Sequence, residues 1–314
     1  ISIYLILVIF IIAGILFFLT RVPAVQDALF QRLAQNLIST APNIFPEEDS
    51  LSALVCGSKS PLPHPTRAET CVMIKAGEET FIFDVGNKSI DNLRNWRVPL
   101  NQLNSIFISH LHSDHIAELP EIHMWNWIGT GRQSKLKVYG PEGINQVLNG
   151  FTEAFSLDWK YRNDHHGDKF APLKAAGFDG YEITDFSEPV YESNGIVITA
   201  FLVDHKPIDP SLAFKIEYKG RSIVLSGDTI YSEAILNNSK NVDVLFHEAF
   251  HKGTLDMMYN ALPENSSSRI AIVDIQNYHT NTIEVANLAK EANVGHLLYY
   301  LSLIHISEPT RQLC

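Results

Sequence analysis

His110-Leu111-His112-Ser113-Asp114-His115 is the stretch that decides how this chain is read. It follows Ser105-Ile106-Phe107-Ile108-Ser109, a β-branched and aromatic run typical of a buried strand. It precedes Ile116 to Trp127, where apolar residues return at helical spacing. The motif therefore belongs on a strand-to-helix loop, where several side chains can converge on one point. Imidazoles two residues apart can grip one metal while Asp114 and His115 turn toward a second. Nitrogen and carboxylate donors of this kind suit zinc.

Composition sets the outer limits. The 314 residues, 46% of them apolar, suffice for one large globular domain and an appendage. A formal charge of -11 argues against a broad nucleic-acid-binding surface, though not against a local basic pocket. Cys56, Cys71 and Cys314 form no zinc-ribbon or CxxC pattern. Cys56 and Cys71 flank a strand-turn-strand unit that a disulfide could close in an oxidising compartment; two buried free thiols are the plainer reading.

Ile1 to Leu19 carries no charge. As a helix it would extend about 28 Å, close to the thickness of a hydrocarbon core, so it is expected to be an uncleaved transmembrane anchor. Residues 20–50 would then hold an amphipathic juxtamembrane helix, Val25 to Ile38, and a linker. The catalytic domain is expected outside the cytoplasm, with the flanking charges that would fix its orientation missing from the sequence. The chain begins with Ile rather than Met, which is expected of a fragment.

From Leu51 onward strands come first, then strands alternating with helices. Leu54–Gly57, Cys71–Ile74 and Thr80–Val85 read as strands, the last two joined at Gly77. Lys135–Tyr139, Ile196–Val203, Ala213–Tyr218, Ser222–Leu225, Val242–Phe246 and His296–Tyr300 are further strands, with helices at Gly143–Phe155 and Thr282–Ala292. Tyr161, Arg162, His165 and His166 read as a solvent-facing loop. Two sheets covered by outer helices accommodate this order, with ligands supplied from loops at one edge.

Residues 51–300 resemble the metallo-β-lactamase-fold hydrolases, in the branch that includes ribonuclease Z and arylsulfatase-like proteins. The matching pieces are Cys56-Gly57-Ser58 with Ser60-Pro61 and Arg67, Phe83-Asp84-Val85-Gly86, and the His110–His115 motif. Val203-Asp204-His205, Ser226-Gly227-Asp228-Thr229, His247-Glu248-Ala249 and Tyr278-His279-Thr280 follow in the family order. The resemblance implies an α/β fold, a four-layer αββα sandwich, with two zinc ions at one sheet edge. It implies that His110, His112 and His205 hold one ion and Asp114 and His115 the other, with Asp228 bridging. Asp114, Glu248 and His279 are the implied catalytic groups, with His279 donating a proton to the leaving oxygen. Asp84 is expected to orient a histidine rather than bind metal. Two close cations lower the pKa of a shared water toward neutrality and stabilise charge on a phosphoryl, sulfuryl or acyl oxygen.

Two departures stand out. Phe250 replaces the threonine of the nuclease form, and Leu301 stands where the family has its last metal histidine. The tail 301–314 has lost the family pattern and reads as artefactual, so the second metal is expected to bind weakly, with His305 as a distant substitute ligand. The expected function is hydrolysis of a small phosphate, sulfate or other ester by a membrane-tethered enzyme. Ribonuclease Z-like processing of tRNA 3′ ends is the alternative, and a catalytically silent membrane-anchored binding protein the third reading. The resemblance also implies a homodimer, although nothing in the sequence marks an interface.

Overall fold

The computed structural model describes residues 2–39, 44–46, 49–62, 64–100, 103–128 and 130–302. The chain divides into two compact units, residues 1–44 with 96–98 and the remainder. The first unit holds α1 (Ser2–Leu19) and α2 (Pro23–Ser39). The helices meet at a bend of 86°, where Arg21 lies over the Phe17 ring at 4.8 Å and the Gln26 amide donates to the Thr20 carbonyl. Large apolar side chains of α1 are exposed, from Ile3 to Leu19. Among the described residues no single helix is long and apolar enough to cross a membrane, and the expectation of one spanning helix finds no support; α1 and α2 qualify only as a bent pair.

The second unit contains two six-stranded sheets. The first is built from β1 (Leu51–Gly57), β2 (Cys71–Ala76), β3 (Glu79–Phe83), β4 (Leu103–Phe107), β5 (Leu136–Gly140) and β6 (Phe178–Glu182), in that spatial order. It begins as an antiparallel meander and is parallel from β3 onward. Its intervening helices are α3 (Ser89–Asn95), α4 (Ser113–Ile116), α5 (Leu119–Trp127) and α6 (Ile144–His166). The second sheet comprises β7 (Tyr191–Ser193), β8 (Ile196–His205), β9 (Ile208–Tyr218), β10 (Arg221–Leu225), β11 (Val244–Ala249) and β12 (His296–Ser302), again neighbours in chain order. Helices α7 (Glu233–Asn238), α8 (Lys252–Ala261), α9 (Ser267–Tyr278) and α10 (Thr282–Glu291) belong to this half.

The sheets close on one apolar core. Val72, Ile74, Phe81, Phe83 and Phe107 share it with Ile198, Leu212, Phe214, Ile216, Leu225 and Phe246. Phe83, Phe107 and Tyr139 stack in series at 5.0 and 4.9 Å, and Phe214 meets Phe83 edge-on at 5.3 Å. Each of the buried phenylalanines contributes about 1.5–3 kcal/mol. A second cluster, with Ala213, Val224 and Leu245, receives Ile235 and Leu236 of α7 and Leu288 and Ala289 of α10. The alternating faces of β10 and β11 thus serve two apolar layers at once, giving the αββα layering its inner and outer cores.

The structure differs from the sequence reading in several places. The helix expected over 116–127 is broken. Glu118 turns its carboxylate to the Lys88 and Ile90 N–H groups, its own N–H binds the Val85 carbonyl, and Pro120 opens α5. Helix α6 runs on to His166, so Tyr161, Arg162, His165 and His166 are helical rather than looped. Ion pairs Asp158–Arg162 and Lys160–Asp164 support that extension until Gly167, with φ 76°, ends it. Helices α8 and α9 occupy a stretch to which the sequence reading assigns no element. Cys56 and Cys71 are joined as a disulfide rather than left as free thiols. A bulge between Val55 and Gly57 leaves Cys56 out of the β1–β2 register, and its Cα comes within 5.0 Å of that of Cys71.

Closing a loop of 15 residues, that disulfide should contribute about 3 kcal/mol. Replacing both cysteines by serine should lower the urea midpoint accordingly, and reductant should then leave the variant unchanged. His123 provides a second check. Its Nε2 accepts from the Gly177 N–H at 2.8 Å, it packs against Trp127 and Trp159, and burial pushes its pKa from 6.5 to about 4. The unfolded chain takes up this proton near pH 6.5 and the folded one only near 4, so stability falls as pH drops through that window, by on the order of 3 kcal/mol. The urea midpoint should fall less steeply with acid in His123→Leu; equal slopes would contradict this assignment.

Candidate metal centre

Strand β4 leads through Ile108, whose N–H binds the Tyr139 carbonyl, into Ser109 and the histidine loop; Asp114 and His115 lie in the first turn of α4. His205 ends β8, Asp228 follows β10, Glu248 lies in β11, and His279 caps the C-terminus of α9. These distant segments meet because the loops interlock without room for side chains. A Cβ on Gly86 would come within 2.2 Å of the Asp114 carbonyl oxygen. Gly227, at φ 60°, passes so close to Leu212 that a Cβ would sit 2.4 Å from its carbonyl oxygen.

One donor atom from each of His110, His112, His205 and Asp228 lies within 4.8 Å of all the others. His110 Nε2 and His112 Nδ1 are 2.9 Å apart. Asp228 Oδ2 is 3.9 Å from His110 Nε2 and 3.7 Å from His205 Nε2. The other oxygen, Oδ1, is 3.6 Å from His115 Nε2, which is also 3.7 Å from Asp114 Oδ2. The carboxylate of Asp228 therefore faces two donor sets, one with each oxygen.

His115 Nε2, His205 Nε2 and Asp228 Oδ1 are buried and accept or donate no hydrogen bond. Such orphaned atoms are costly, and their convergence is what a cation would satisfy. The far nitrogens support the same conclusion. Asp84 can only accept, so His115 donates its Nδ1–H at 2.9 Å and turns Nε2 toward the cluster. The Tyr278 carbonyl likewise accepts from His205 Nδ1 at 2.9 Å, leaving Nε2 bare. Asp84, with φ 57°, also accepts from the N–H and hydroxyl of Ser109, both at 2.8 Å. Asp84 thus stands behind the histidine and outside the donor cluster. The residues fit a divalent cation.

Electrostatics follow the burial. Burial works against the charged form of Asp228, yet His115 and His110 hold its carboxyl well below the usual carboxylate range. Burial pushes Asp114 up and drives His205 down to about 4. Asp228 does not cap α7; the Ser232 hydroxyl does, accepting from the Ile235 N–H.

Glu248 and His279 form a buried pair beside this cluster. Glu248 Oε2 lies 3.3 Å from His279 Nδ1, and Oε1 accepts from the Thr280 N–H at 2.7 Å. Burial raises the Glu248 pKa; it would lower that of His279, but Glu248 and then Asp228 and Asp114 outweigh it and raise His279. Phe250 has turned into a small apolar core with Leu255, Ile272 and Ile275, tying the α8–α9 hairpin to the sheet end. Leu301 is fully buried in the inter-sheet core at φ 51°. Among the described residues β12 supplies no nitrogen to the cluster, and His305 lies outside the described residues. Tyr161, Arg162, His165 and His166 are not part of the donor cluster. Ser109 and the Tyr278 carbonyl were not foreseen; a serine next to a ligand histidine is a faint signal, and a backbone carbonyl leaves none.

A family model described as the anti-Pycsar protein Apyc1 matches residues 55–293. Ribonuclease Z of Mycobacterium bovis is 30% identical over 250 residues, covering 79% of this chain and 84% of the relative. Ribonuclease Z of Mycobacterium marinum is 31% identical over 244 residues, covering 77% and 82%. Among solved structures, the short form of human tRNase Z is similar with a TM-score of 0.59 at 20% identity, covering 80% of this chain and 92% of that one. The metallo-β-lactamase-fold protein YhfI of Bacillus subtilis also has a TM-score of 0.59 at 20% identity, covering 82% and 89%. These relatives support the ribonuclease Z side of the resemblance and not the arylsulfatase-like side. The chain belongs to the metallo-β-lactamase-fold hydrolases, in the ribonuclease Z branch.

Proposed function

We propose that this hydrolase is a metal-dependent phosphodiesterase that cleaves RNA in the manner of the ribonucleases Z it resembles, with 3′-extended tRNA as substrate. The observation that carries the reading is the convergence of orphaned donors on the two oxygens of Asp228, with the Glu248–His279 pair beside them. His110, His112, His205 and Asp228 would hold one zinc ion; Asp114, His115 and Asp228 would hold a second, more weakly because Leu301 offers no donor. Bound there, the metal supplies Lewis acidity and an acidified water. His279, its proton retained by the neighbouring carboxylates, donates to the leaving oxygen, and Glu248 fixes its ring. Asp114, raised by burial, would accept a proton from the attacking water.

A second reading, hydrolysis of a small phosphate, sulfate or other ester, is favoured by the charge of -11, which repels a polyanion. The two separate in one experiment. A 3′-extended tRNA should be cut near the end of the acceptor stem, with activity abolished by a chelator, restored by zinc, and lowered more than about 100-fold in Asp228→Asn. Turnover of bis(p-nitrophenyl) phosphate with tRNA left intact would favour the small-ester reading. A chain that binds zinc and turns over neither substrate would favour the silent binding protein.

The apolar α1 and the bend into α2 support a further proposal, attachment to a lipid surface. α1 would insert, and α2, which exposes Leu29, Phe30 and Leu33, would lie along the interface. The chain should float with phosphatidylcholine vesicles, and Ile12→Asp with Leu16→Asp should abolish flotation. Unchanged flotation would remove α1 as the attachment.

A further inference from the structure

Four loops must hold a fixed relation for the site to exist: those of His205, Asp228, Glu248 and His279. One buried residue, Thr280, is bonded to the Asp228 and Glu248 loops and follows His279 in sequence. Its N–H donates to Glu248 Oε1 at 2.7 Å, and its carbonyl accepts from the Phe250 N–H at 3.0 Å. Its hydroxyl donates to the Thr229 carbonyl at 2.6 Å. Thr229 is the residue after Asp228, whose own carbonyl accepts from the Ser211 hydroxyl at 3.1 Å. Two hydroxyls therefore pin the consecutive carbonyls of Asp228 and Thr229, which fixes the backbone immediately after Asp228 and restricts where its carboxylate can point. The same loop reaches His205, because the Ile230 N–H donates to the Asp204 carbonyl at 2.9 Å.

Thr280 is itself firmly held. Tyr278 closes α9 and gives its carbonyl to His205, and Asn281 opens α10 with a reciprocal capping box to Glu284. Between these anchors residue 280 has no freedom to follow Thr229 if that loop shifts. Thr280 and Thr229 are both fully buried, so water is not at hand to replace a lost bond.

We propose that the Thr280 hydroxyl is a positioning group for the metal centre: through the Thr229 carbonyl it sets the direction of Asp228, and with it the donor geometry that a bound metal would meet. This rests on the metal-dependent reading of the site. Thr280 touches none of the donor atoms and takes no part in proton transfer, so its influence is on metal affinity and on turnover rather than on substrate binding.

The test uses the full chain, freed of metal by a chelator and titrated with cobalt(II), whose visible absorption reports coordination geometry. Thr280→Val, nearly the same shape without the hydroxyl, should bind cobalt about tenfold more weakly and alter the visible bands. Hydrolysis of bis(p-nitrophenyl) phosphate by the cobalt-saturated variant should show kcat lowered about tenfold, with KM within about twofold of wild type. Thr280→Ser, which restores the hydroxyl, should recover affinity, spectrum and kcat together. Should Thr280→Val not fold, Thr280→Ala takes its place, and failure of both to fold would make Thr280 a stability residue alone and overturn the proposal. Wild-type cobalt affinity and spectrum in the valine variant, or a serine variant as impaired as valine, would overturn it as well. A wild-type chain that takes up no cobalt would defeat the reading of the site first and this proposal with it.

Discussion

Everything at the functional edge of this protein depends on one buried carboxylate facing several imidazoles. Asp228 presents Oδ2 to His110 and His205 and Oδ1 to His115, with three of the converging atoms left without hydrogen bonds. A polar arrangement of this kind is unfavourable as a purely structural core, because each orphaned atom has given up water for nothing. It makes sense as a donor set, and the chain devotes much of its irregular backbone to holding it. Asp84 adopts a positive φ to stand behind His115, and Gly86 and Gly227 allow loops to pass within a Cβ's width of one another. Fold and site are thus linked by sterics as much as by chemistry.

The two sheets contribute differently. The first sheet supplies the histidine loop at the end of β4 and the orienting carboxylate at the end of β3, both short segments that follow parallel strands. The second supplies His205, Asp228 and the Glu248–His279 pair from the ends of β8, β10, β11 and α9. The aromatic stack through Phe83, Phe107 and Tyr139 and its edge contact with Phe214 hold the sheets in register. A slip of one residue along any of these strands would turn core faces outward and move its terminal ligand by more than a bond length. The precision of the site therefore derives from the inter-sheet core.

The α8–α9 hairpin is the least anticipated part of the architecture, and it bears directly on the chemistry. It has a small core of its own around Phe250, Leu255, Ile272 and Ile275. Its last residue, Tyr278, gives its carbonyl to a candidate ligand, and the next, His279, faces Glu248. The phenylalanine that replaces the nuclease threonine is thereby accounted for: it anchors the hairpin through packing and, through its main chain, holds both Thr280 and Thr282.

Much of this was legible in the linear chain. The histidine motif, its strand-then-helix setting, the period-two and continuous apolar runs and the family order of short motifs depend on local spacing, and local spacing survives in a sequence. Those features sufficed for two sheets, outer helices and the candidate donors His110, His112, Asp114, His115, His205 and Asp228. Tertiary structure alone decided what depends on distance. The pairing of Cys56 with Cys71 required a bulge in β1; the break between α4 and α5 required Glu118 to find the start of α3. The roles of Ser109, Thr280 and the Tyr278 carbonyl arise from hydrogen bonds between segments far apart in the chain. A backbone carbonyl has no identity in a sequence, and a hydroxyl acquires a role only when folding brings its acceptor within 3 Å.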